Sequence, residues 1–355
     1  MKVGSLVKRF LITLAIALSA GFLLSLTGLF LPWLLGPMAA FLILRQVTDM
    51  EFHWPKIFRT LGLLLLGVQI GASFTQESVI LMVADLPYML VMTIAIVVFS
   101  LLLGFLFQRM TRVSLSTALL GSMPGGLSQM VLISEEVKSA NVTVVSVMQT
   151  FRILLIVFTV PVAAGFLSSR APGELAETSF RFSPYAFGIA LVFGYALYWL
   201  MKRISFPARE LMAPVLAMAV VQTVTGSDLI DLPSLVIIIA QVLIGTHLGL
   251  SMEKLGDSLD SRLAGAVFLN TVLLIAFSAG LAYGLERLLP EYLFLDFFLS
   301  AAPGGMAEMT ITALEAGADV PLVTSFHLFR LFFILLIAAP LVTYYVKKLD
   351  AKSGY

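Results

Sequence analysis

Two arginines stand inside long apolar runs, where a charged side chain is costly. Arg152 and Arg330 each lie about ten residues into a run, and hence roughly 15 Å from its end at 1.5 Å per residue. An arginine at the centre of a membrane helix costs at least ~2.5 kcal/mol, so some interaction must offset it. The guanidinium groups could bind an anion such as a carboxylate or phosphate. Alternatively, they could pair structurally with main-chain carbonyl groups or with Glu136, Glu308 or Glu315.

Two Pro-Gly-Gly motifs interrupt apolar segments, at Pro124-Gly125-Gly126 within 114–136 and at Pro303-Gly304-Gly305 within 294–315. Proline lacks an N–H and glycine permits unusual dihedral angles, so each motif exposes main-chain groups. The residues that follow begin a half-helix, whose N-terminus favours an anion. We therefore expect main-chain N–H groups there to contact a substrate, although simple tight turns would also explain the motifs. The candidate donors are Gly125, Gly126, Leu127 and Ser128, and Gly304, Gly305, Met306 and Ala307.

Five further polar residues are candidates for the same site, namely Gln129, Glu308, Gln69, His247 and His327. Glu308 lies three residues after the second motif, where the first half has Gln129. Glu308 could bind H⁺ or Na⁺ and couple transport to an ion gradient, or it could cap its own half-helix. Gln69 and His247 lie between glycines, and either could reach a cavity or form an interhelical hydrogen bond. His327 is a weaker candidate for a proton path.

Composition identifies an integral membrane protein and excludes several classes of activity. The chain has 355 residues, 59% hydrophobic and 12% charged, with a mean hydropathy of +1.01, whereas soluble domains carry roughly 25% charged residues. The absence of cysteine excludes disulfides and thiol chemistry. Three histidines are too few for a multi-metal redox centre, and no nucleotide-binding or hydrolase motif is present. We expect no enzyme, no cofactor, no metal site and no nucleic-acid ligand.

The elements that must position these residues are membrane helices, each of which needs about 20 apolar residues. The N-terminal run follows Lys2, Lys8 and Arg9 but lacks a cleavage site and leads into further runs, so we expect a retained helix and not a signal peptide. Ten runs are predicted to span the membrane: 10–29, 31–46, 56–74, 84–107, 141–166, 184–201, 210–226, 233–251, 263–285 and 321–346.

The positive-inside rule indicates how the two broken segments run. If both are re-entrant hairpins and the N-terminus is cytoplasmic, the basic residues of the connecting segments are all cytoplasmic except Arg170, Arg181 and Arg287. If both segments cross instead, the cytoplasmic excess is smaller. The rule therefore favours hairpins, ten spans and two cytoplasmic termini, with crossing broken helices as the alternative.

The two halves of the chain repeat each other at an offset of 177 to 179 residues. Residues 67–73 match residues 245–251, Pro37 matches Pro214, and the two Pro-Gly-Gly motifs match, as do Arg152 and Arg330. We predict a first membrane repeat over 1–170 and a second over 171–355. Because each repeat holds five spans, the second must be inverted, and paired breaks in inverted repeats indicate a substrate site near the bilayer midplane.

These motifs resemble those of the AbrB-duplication family of membrane proteins. The resemblance rests on an early helix with two prolines (Pro32-Trp33-Leu34-Leu35-Gly36-Pro37), a Gly-x-Gln/His-x-Gly helix and the paired Pro-Gly-Gly breaks. Members carry labels that range from ammonia monooxygenase-like to regulator of gene expression. The family is similar in organisation to inverted-repeat carriers such as bile-acid and cation/proton transporters. The resemblance implies a protein of the bacterial inner membrane.

Taken together, the sequence predicts an all-α polytopic membrane protein of about ten helices in two inverted repeats. The predicted activity is secondary transport of a small, anionic solute, with H⁺ or Na⁺ as the coupling ion. The alternative is a membrane-embedded sensor or regulator of gene expression without transport. The expected partners are the lipid bilayer and the solute, and a homodimer is compatible with such a fold.

Overall fold

The computed structural model describes residues 2–124, 127–168, 181–204, 206, 208–225, 230–251 and 261–353. These residues are almost entirely helical, with one antiparallel pair of two-residue strands, β1 (Arg181–Phe182) and β2 (Ile230–Asp231), and one π-helical turn (Ile334–Ala338). The helices are α1 (Lys2–Ser25), α2 (Pro32–Val47), α3 (Lys56–Ala72), α4 (Gln76–Ala84), α5 (Leu86–Thr111), α6 (Leu115–Ser122), α7 (Leu127–Glu136), α8 (Val142–Leu167), α9 (Pro184–Arg203), α10 (Arg209–Thr225), α11 (Ser234–Ser251), α12 (Ser261–Leu288), α13 (Phe294–Ala301), α14 (Met306–Ala316), α15 (Val320–Phe333) and α16 (Ala339–Ser353).

Seven helical stretches of the described chain are long and apolar enough to cross a membrane. They are α1, α5, α8, α9, α11, α12 and the continuous stretch from α15 through the π-turn into α16. Helices α3 and α4 qualify only as a pair, bent by 88° at their break. All ten predicted runs fall on helices, but α2 and α10 have only 16 and 17 residues. A helix of that length covers about 25 Å, less than the hydrocarbon layer.

The described chain divides into two compact units, and each unit draws on both halves of the sequence. Unit 1 comprises Met1–Val83, Pro161–Lys254 and Thr310–Pro321. Unit 2 comprises Ala84–Val160, Leu255–Met309 and Leu322–Tyr355. This division differs from the repeats predicted at 1–170 and 171–355, because helices from both halves pack together within each unit. The repeat boundary stays a prediction.

Unit 1 is built from reciprocal helix contacts between the two halves. Helix α2 packs on α11, and α10 packs on α3. A Cβ added to Gly71 of α3 would lie 2.5 Å from the carbonyl oxygen of Val215 in α10. A Cβ added to Gly249 of α11 would lie 2.6 Å from the carbonyl oxygen of Met38 in α2. The two contacts involve equivalent residues of the repeat, and only glycine permits such close approach of two membrane helices.

In unit 2, equivalent residues of the two halves also contact each other, through a pair of stacked aromatic rings. Phe99 of α5 and Phe277 of α12 lie at the repeat offset, and their ring centroids are 3.9 Å apart with nearly parallel planes. Helix α5 also packs on α6, and α12 packs on α13. An apolar core joins α5, α6 and α7 to the end of the chain through Val97, Leu119, Leu120, Met123, Met130, Val137, Val145, Ile334, Ala338, Ala339, Val342 and Val346.

Candidate functional site

Both Pro-Gly-Gly motifs stand at a helix break, and the proline explains why. A proline ring disfavours helical dihedral angles at the residue before it. Met123 is accordingly extended, with φ −63° and ψ 129°, and Ala302 has φ −53° and ψ 130°. Helix α6 therefore ends at Ser122 and α13 ends at Ala301. Each end leaves main-chain carbonyl groups without helical donors.

In the first break, side chains of α8 bond to these carbonyl groups. Arg152 Nη1 donates to the carbonyl oxygens of Ser122 and Met123, each at 3.0 Å. Gln149, one turn earlier, donates through Nε2 to the carbonyl oxygens of Leu120 at 2.9 Å and Met123 at 3.0 Å. Arg152 Nη2 also donates to Gln149 Oε1. The arginine and the glutamine together cap the C-terminal end of α6.

The second break repeats this arrangement with residues of α15. Arg330 Nη1 donates to the carbonyl oxygens of Ala301 at 3.3 Å and Ala302 at 2.9 Å. Arg330 Nη2 donates to the Gly304 carbonyl at 3.3 Å and to His327 Nδ1 at 2.6 Å. His327 Nε2 lies 2.9 Å from the Leu299 carbonyl. His327 therefore occupies the place of Gln149, at the same spacing before its arginine.

The bonding pattern fixes the protonation of the His327 ring. Arginine has only donors, so His327 Nδ1 must accept the bond from Arg330. His327 Nε2 then carries the proton and donates to the carbonyl of Leu299. The ring is thus the neutral Nε2–H tautomer, which supports a structural role for this histidine over a proton path.

The two arginines have lost most contact with solvent without gaining a carboxylate partner. Their exposed fractions are 5% for Arg152 and 6% for Arg330. Within the described residues, neither forms an ion pair. The negative ends of the α6 and α13 dipoles stabilise the charges in part. Arg152 Nε has no hydrogen-bond partner in the described part of the chain.

The two cations both belong to unit 2. Helices α7 and α14 begin just after the breaks, so their N-terminal dipole ends add partial positive charge there. An arrangement of this kind can stabilise an anion. The main-chain carbonyls also bind both guanidinium groups, as the structural alternative from the sequence analysis predicts.

Glu308 adopts the position expected of a helix cap. Its carboxylate lies over Gly305, where a Cβ on that glycine would collide with Oε2. Glu308 is the third residue of α14, the N3 position from which a carboxylate reaches back to the residue before the helix. Asp296 does the same at the start of α13, where its Oδ2 accepts from Leu293 N at 2.8 Å. The geometry supports the capping interpretation of Glu308.

The remaining predicted site residues are placed as follows. Gln129 lines a groove on α7. In unit 1, the side chain of Gln69 is buried, and its Oε1 accepts a hydrogen bond from Leu232 N at 2.9 Å, which supports the structural interpretation. His247, also in unit 1, is half-buried. Pro124 and Pro303 are buried, whereas Gly125, Gly126 and the Ser128 side chain lie outside the described residues.

Sequence reasoning missed Gln149, although a signal was present. Gln149 precedes Arg152 by three residues, as His327 precedes Arg330, and the two match at the repeat offset. Asn270 was also missed, and its Nδ2 donates to Ser122 Oγ at 3.2 Å beside the first break. No pattern along the chain indicates the role of Asn270, because α12 reaches α6 only through the fold.

The described residues contain no cluster of three or more histidine, aspartate or glutamate side chains that could hold a metal ion. The described polar groups at the two breaks are guanidinium, amide, imidazole, hydroxyl, carboxylate and main-chain groups. These groups suit hydrogen bonding and charge stabilisation.

Comparison with known proteins identifies the family to which the chain belongs. Residues 33–346 match the family model described as "Transition state regulatory protein AbrB". The chain is 27% identical over 350 residues to "Uncharacterized protein YhjN" of Bacillus subtilis (strain 168), which covers 92% of this chain and 90% of that protein. It is 28% identical over 338 residues to "Putative regulator AbrB" of Escherichia coli (strain K12), with 92% of each covered. Since the family model spans most of the sequence, including both breaks and both arginines, the chain belongs to the AbrB family.

Proposed function

We propose that this protein is a secondary carrier for a small anionic solute that binds beside the two broken helices of unit 2. The observation that carries the proposal is the pair of buried arginines, Arg152 and Arg330, which lack carboxylate partners in the described chain and each lie at a Pro-Gly-Gly break. Two cations at membrane depth that are stabilised only by carbonyl groups and helix dipoles remain costly, and an anionic ligand would offset that cost.

The proposed mechanism uses the guanidinium groups as fixed charges. Most of their described donors already bond to carbonyls, so direct contact with the solute would come from Arg152 Nε and from main-chain N–H groups that follow the breaks. Those N–H groups stand at the positive ends of α7 and α14, which favours a carboxylate or phosphate. The solute would thus bind to preorganised dipoles without moving the arginines.

Alternating access would follow from two inverted repeats. The reciprocal glycine contacts of unit 1 and the stacked Phe99 and Phe277 of unit 2 support such a relation between the halves. We propose ten spans, with the two broken segments entering as hairpins from opposite faces and both termini in the cytoplasm of a bacterial cell. The broken helices then provide the irregular backbone that carriers use near the bilayer midplane.

Coupling to an ion gradient would require a titratable or cation-binding group. Glu308 remains the candidate, since one carboxylate can cap α14 and also exchange a proton. Glu308→Gln keeps the hydrogen-bond acceptor at N3 but cannot titrate. If Glu308 couples transport to H⁺, this variant binds the solute and exchanges it across the membrane, but it no longer accumulates solute against a gradient.

A regulator of gene expression is the second candidate function, and the names of the family and of the Escherichia coli relative favour it. Such a protein would bind the same anion without net flux and would signal to a partner. Flux of the solute in vesicles distinguishes the two functions, because binding alone is common to both.

The proposal is tested first by thermal stabilisation of the purified protein with carboxylates, phosphates, amines and neutral solutes. The anion that stabilises the protein is then used for uptake into vesicles that contain the protein. Arg152→Lys and Arg330→Lys keep a cation but lose the planar fork, so we expect weaker binding and slower uptake. No stabilisation by any anion would refute the anion site, and stabilisation without flux would favour the regulator.

A further inference from the structure

An open groove runs along the last helix of unit 2. It has a volume of about 570 Å³, within the range of ligand sites in proteins. One wall is α7, and the other is the π-turn with α16. The residues that line it are Gln129, Leu132, Ile133, Leu335, Ala339, Pro340, Thr343, Tyr344 and Lys347.

The spacing of the lining residues makes the groove long and narrow. Leu335, Ala339, Thr343 and Lys347 follow one another at intervals of four residues, so they form one stripe along the helix. From Leu335 to Lys347 the stripe covers about 18 Å at 1.5 Å per residue. Over most of this length the lining is apolar, which suits an extended hydrocarbon chain.

The π-helical turn shapes the second wall of the groove. Pro340 has no N–H and cannot make the usual helical bond. The N–H of Ala339 bonds instead to the carbonyl of Ile334, five residues earlier, which widens the helix. Turns of this kind are frequent at functional sites. The small side chain of Ala339 then faces the groove at its midpoint, where a larger one would fill it.

The groove ends at an ion pair that is open to solvent. Lys347 Nζ lies 2.8 Å from Glu136 Oε2, and these side chains are 50% and 63% exposed. Tyr344 stands beside them, and its ring lies 6.0 Å from Lys348 Nζ. The predicted orientation puts this end at the cytoplasmic face, where basic residues between membrane helices bind lipid head groups.

We propose that the groove is a binding site for a zwitterionic phospholipid with a primary amine, such as phosphatidylethanolamine. One acyl chain would lie along the stripe from Thr343 to Leu335. The lipid phosphate would contact Lys347, and the ammonium would donate to Glu136. Both signs of the head group then meet an opposite charge at the mouth of the groove.

The charges of Lys347 and Glu136 at the end of the groove disfavour the other common lipid head groups. A purely anionic lipid would place its phosphate beside the Glu136 carboxylate without an ammonium to compensate. A choline lipid has no N–H and cannot donate a hydrogen bond to that carboxylate. The pair of opposite charges thus selects a head group that carries both a phosphate and a primary ammonium.

The test uses the full chain, exchanged in mild detergent into an equimolar mixture of phosphatidylethanolamine, phosphatidylcholine and phosphatidylglycerol, with retained lipid measured by native mass spectrometry. We expect one retained phospholipid per chain, with a several-fold preference for phosphatidylethanolamine. Thr343→Trp fills the groove and should reduce retention of all three lipids. Leu341→Trp is the matched control, because Leu341 is exposed on the same helix and does not line the groove.

A second pair of variants tests the head group without altering the groove. Glu136→Gln removes the partner of the ammonium and should abolish the preference over phosphatidylcholine, a loss of about two- to fivefold for one exposed ionic contact. Lys348→Gln is its control and should keep the preference. Both residues are solvent-exposed, so these variants do not depend on tolerance of Thr343→Trp.

Three outcomes would overturn the proposal. Lipids could be retained in proportion to the mixture, or Thr343→Trp could retain as much lipid as Leu341→Trp. The mass spectrum could also show dimers without lipid that dissociate in Thr343→Trp, in which case a second copy of the chain covers the groove. None of these outcomes bears on the anion site, because thermal stabilisation by the solute is measured separately.

Discussion

Replacement of His327 tests whether the two breaks are equivalent in structure. His327→Leu removes an acceptor for Arg330 Nη2 at 2.6 Å and a donor to the Leu299 carbonyl at 2.9 Å. Both groups are buried, and each loses a partner that water cannot replace. At about 1–3 kcal/mol for each of the two unsatisfied buried groups, the expected loss of unfolding free energy is about 2–6 kcal/mol.

The matched variant is His327→Gln, which copies the first half of the chain. Gln149 accepts from Arg152 through Oε1 and donates to the Leu120 carbonyl through Nε2. A glutamine at 327 can make the equivalent two hydrogen bonds. We therefore expect the free energy of unfolding to fall by less than about 1 kcal/mol, which is the net contribution of a single hydrogen bond. The reciprocal pair is Gln149→His and Gln149→Leu, with the same expected order.

The assay is denaturant-induced unfolding of the purified protein in detergent, followed by circular dichroism and by tryptophan fluorescence. If His327→Gln destabilises the protein as much as His327→Leu, the two breaks are not equivalent. If His327→Leu leaves stability unchanged, the described hydrogen bonds do not hold Arg330. Either result would refute the capping role assigned to this pair.

Three further predictions concern helix packing, capping and orientation. Gly249→Ala forces α11 away from the Met38 carbonyl and should cost about 1–3 kcal/mol of unfolding free energy, whereas Gly265→Ala meets open space and should stabilise α12 by about 0.5–1 kcal/mol. Equal effects in the same unfolding assay would contradict the close approach of α11. Glu308→Ala should cost about 0.5–2 kcal/mol through loss of the α14 cap, and Glu308→Gln should be neutral; a neutral Glu308→Ala would show that the carboxylate does not cap the helix. Since the chain has no native cysteine, Ser139→Cys should react with an impermeant thiol reagent added from the cytoplasmic side in inverted vesicles, and reaction only from the opposite side would show that the first broken segment crosses the membrane.

Composition, apolar runs and local motifs predict much of this structure from the sequence. A mean hydropathy of +1.01 leaves too little polar surface for a soluble domain, so the membrane class follows from composition. The positions of the helices follow from apolar runs, and the positions of the two breaks follow from the Pro-Gly-Gly motifs, whose prolines disfavour helical dihedral angles at Met123 and Ala302. The repeat offset by itself also pairs Arg152 with Arg330.

What the arginines touch was left open by the sequence and was decided by tertiary structure. The sequence allowed an anion, a carboxylate or a carbonyl as partner, and it gave no role to Gln149 or Asn270. In the described chain, both guanidinium groups bond to carbonyls about 30 residues away, at helix ends exposed by the breaks. Likewise, the compact units mix both halves of the chain, because Gly71 and Gly249 each permit close approach only to a helix from the other half. Contacts between residues distant along the chain depend on how helices pack, and no local pattern of hydropathy or turn chemistry encodes that packing.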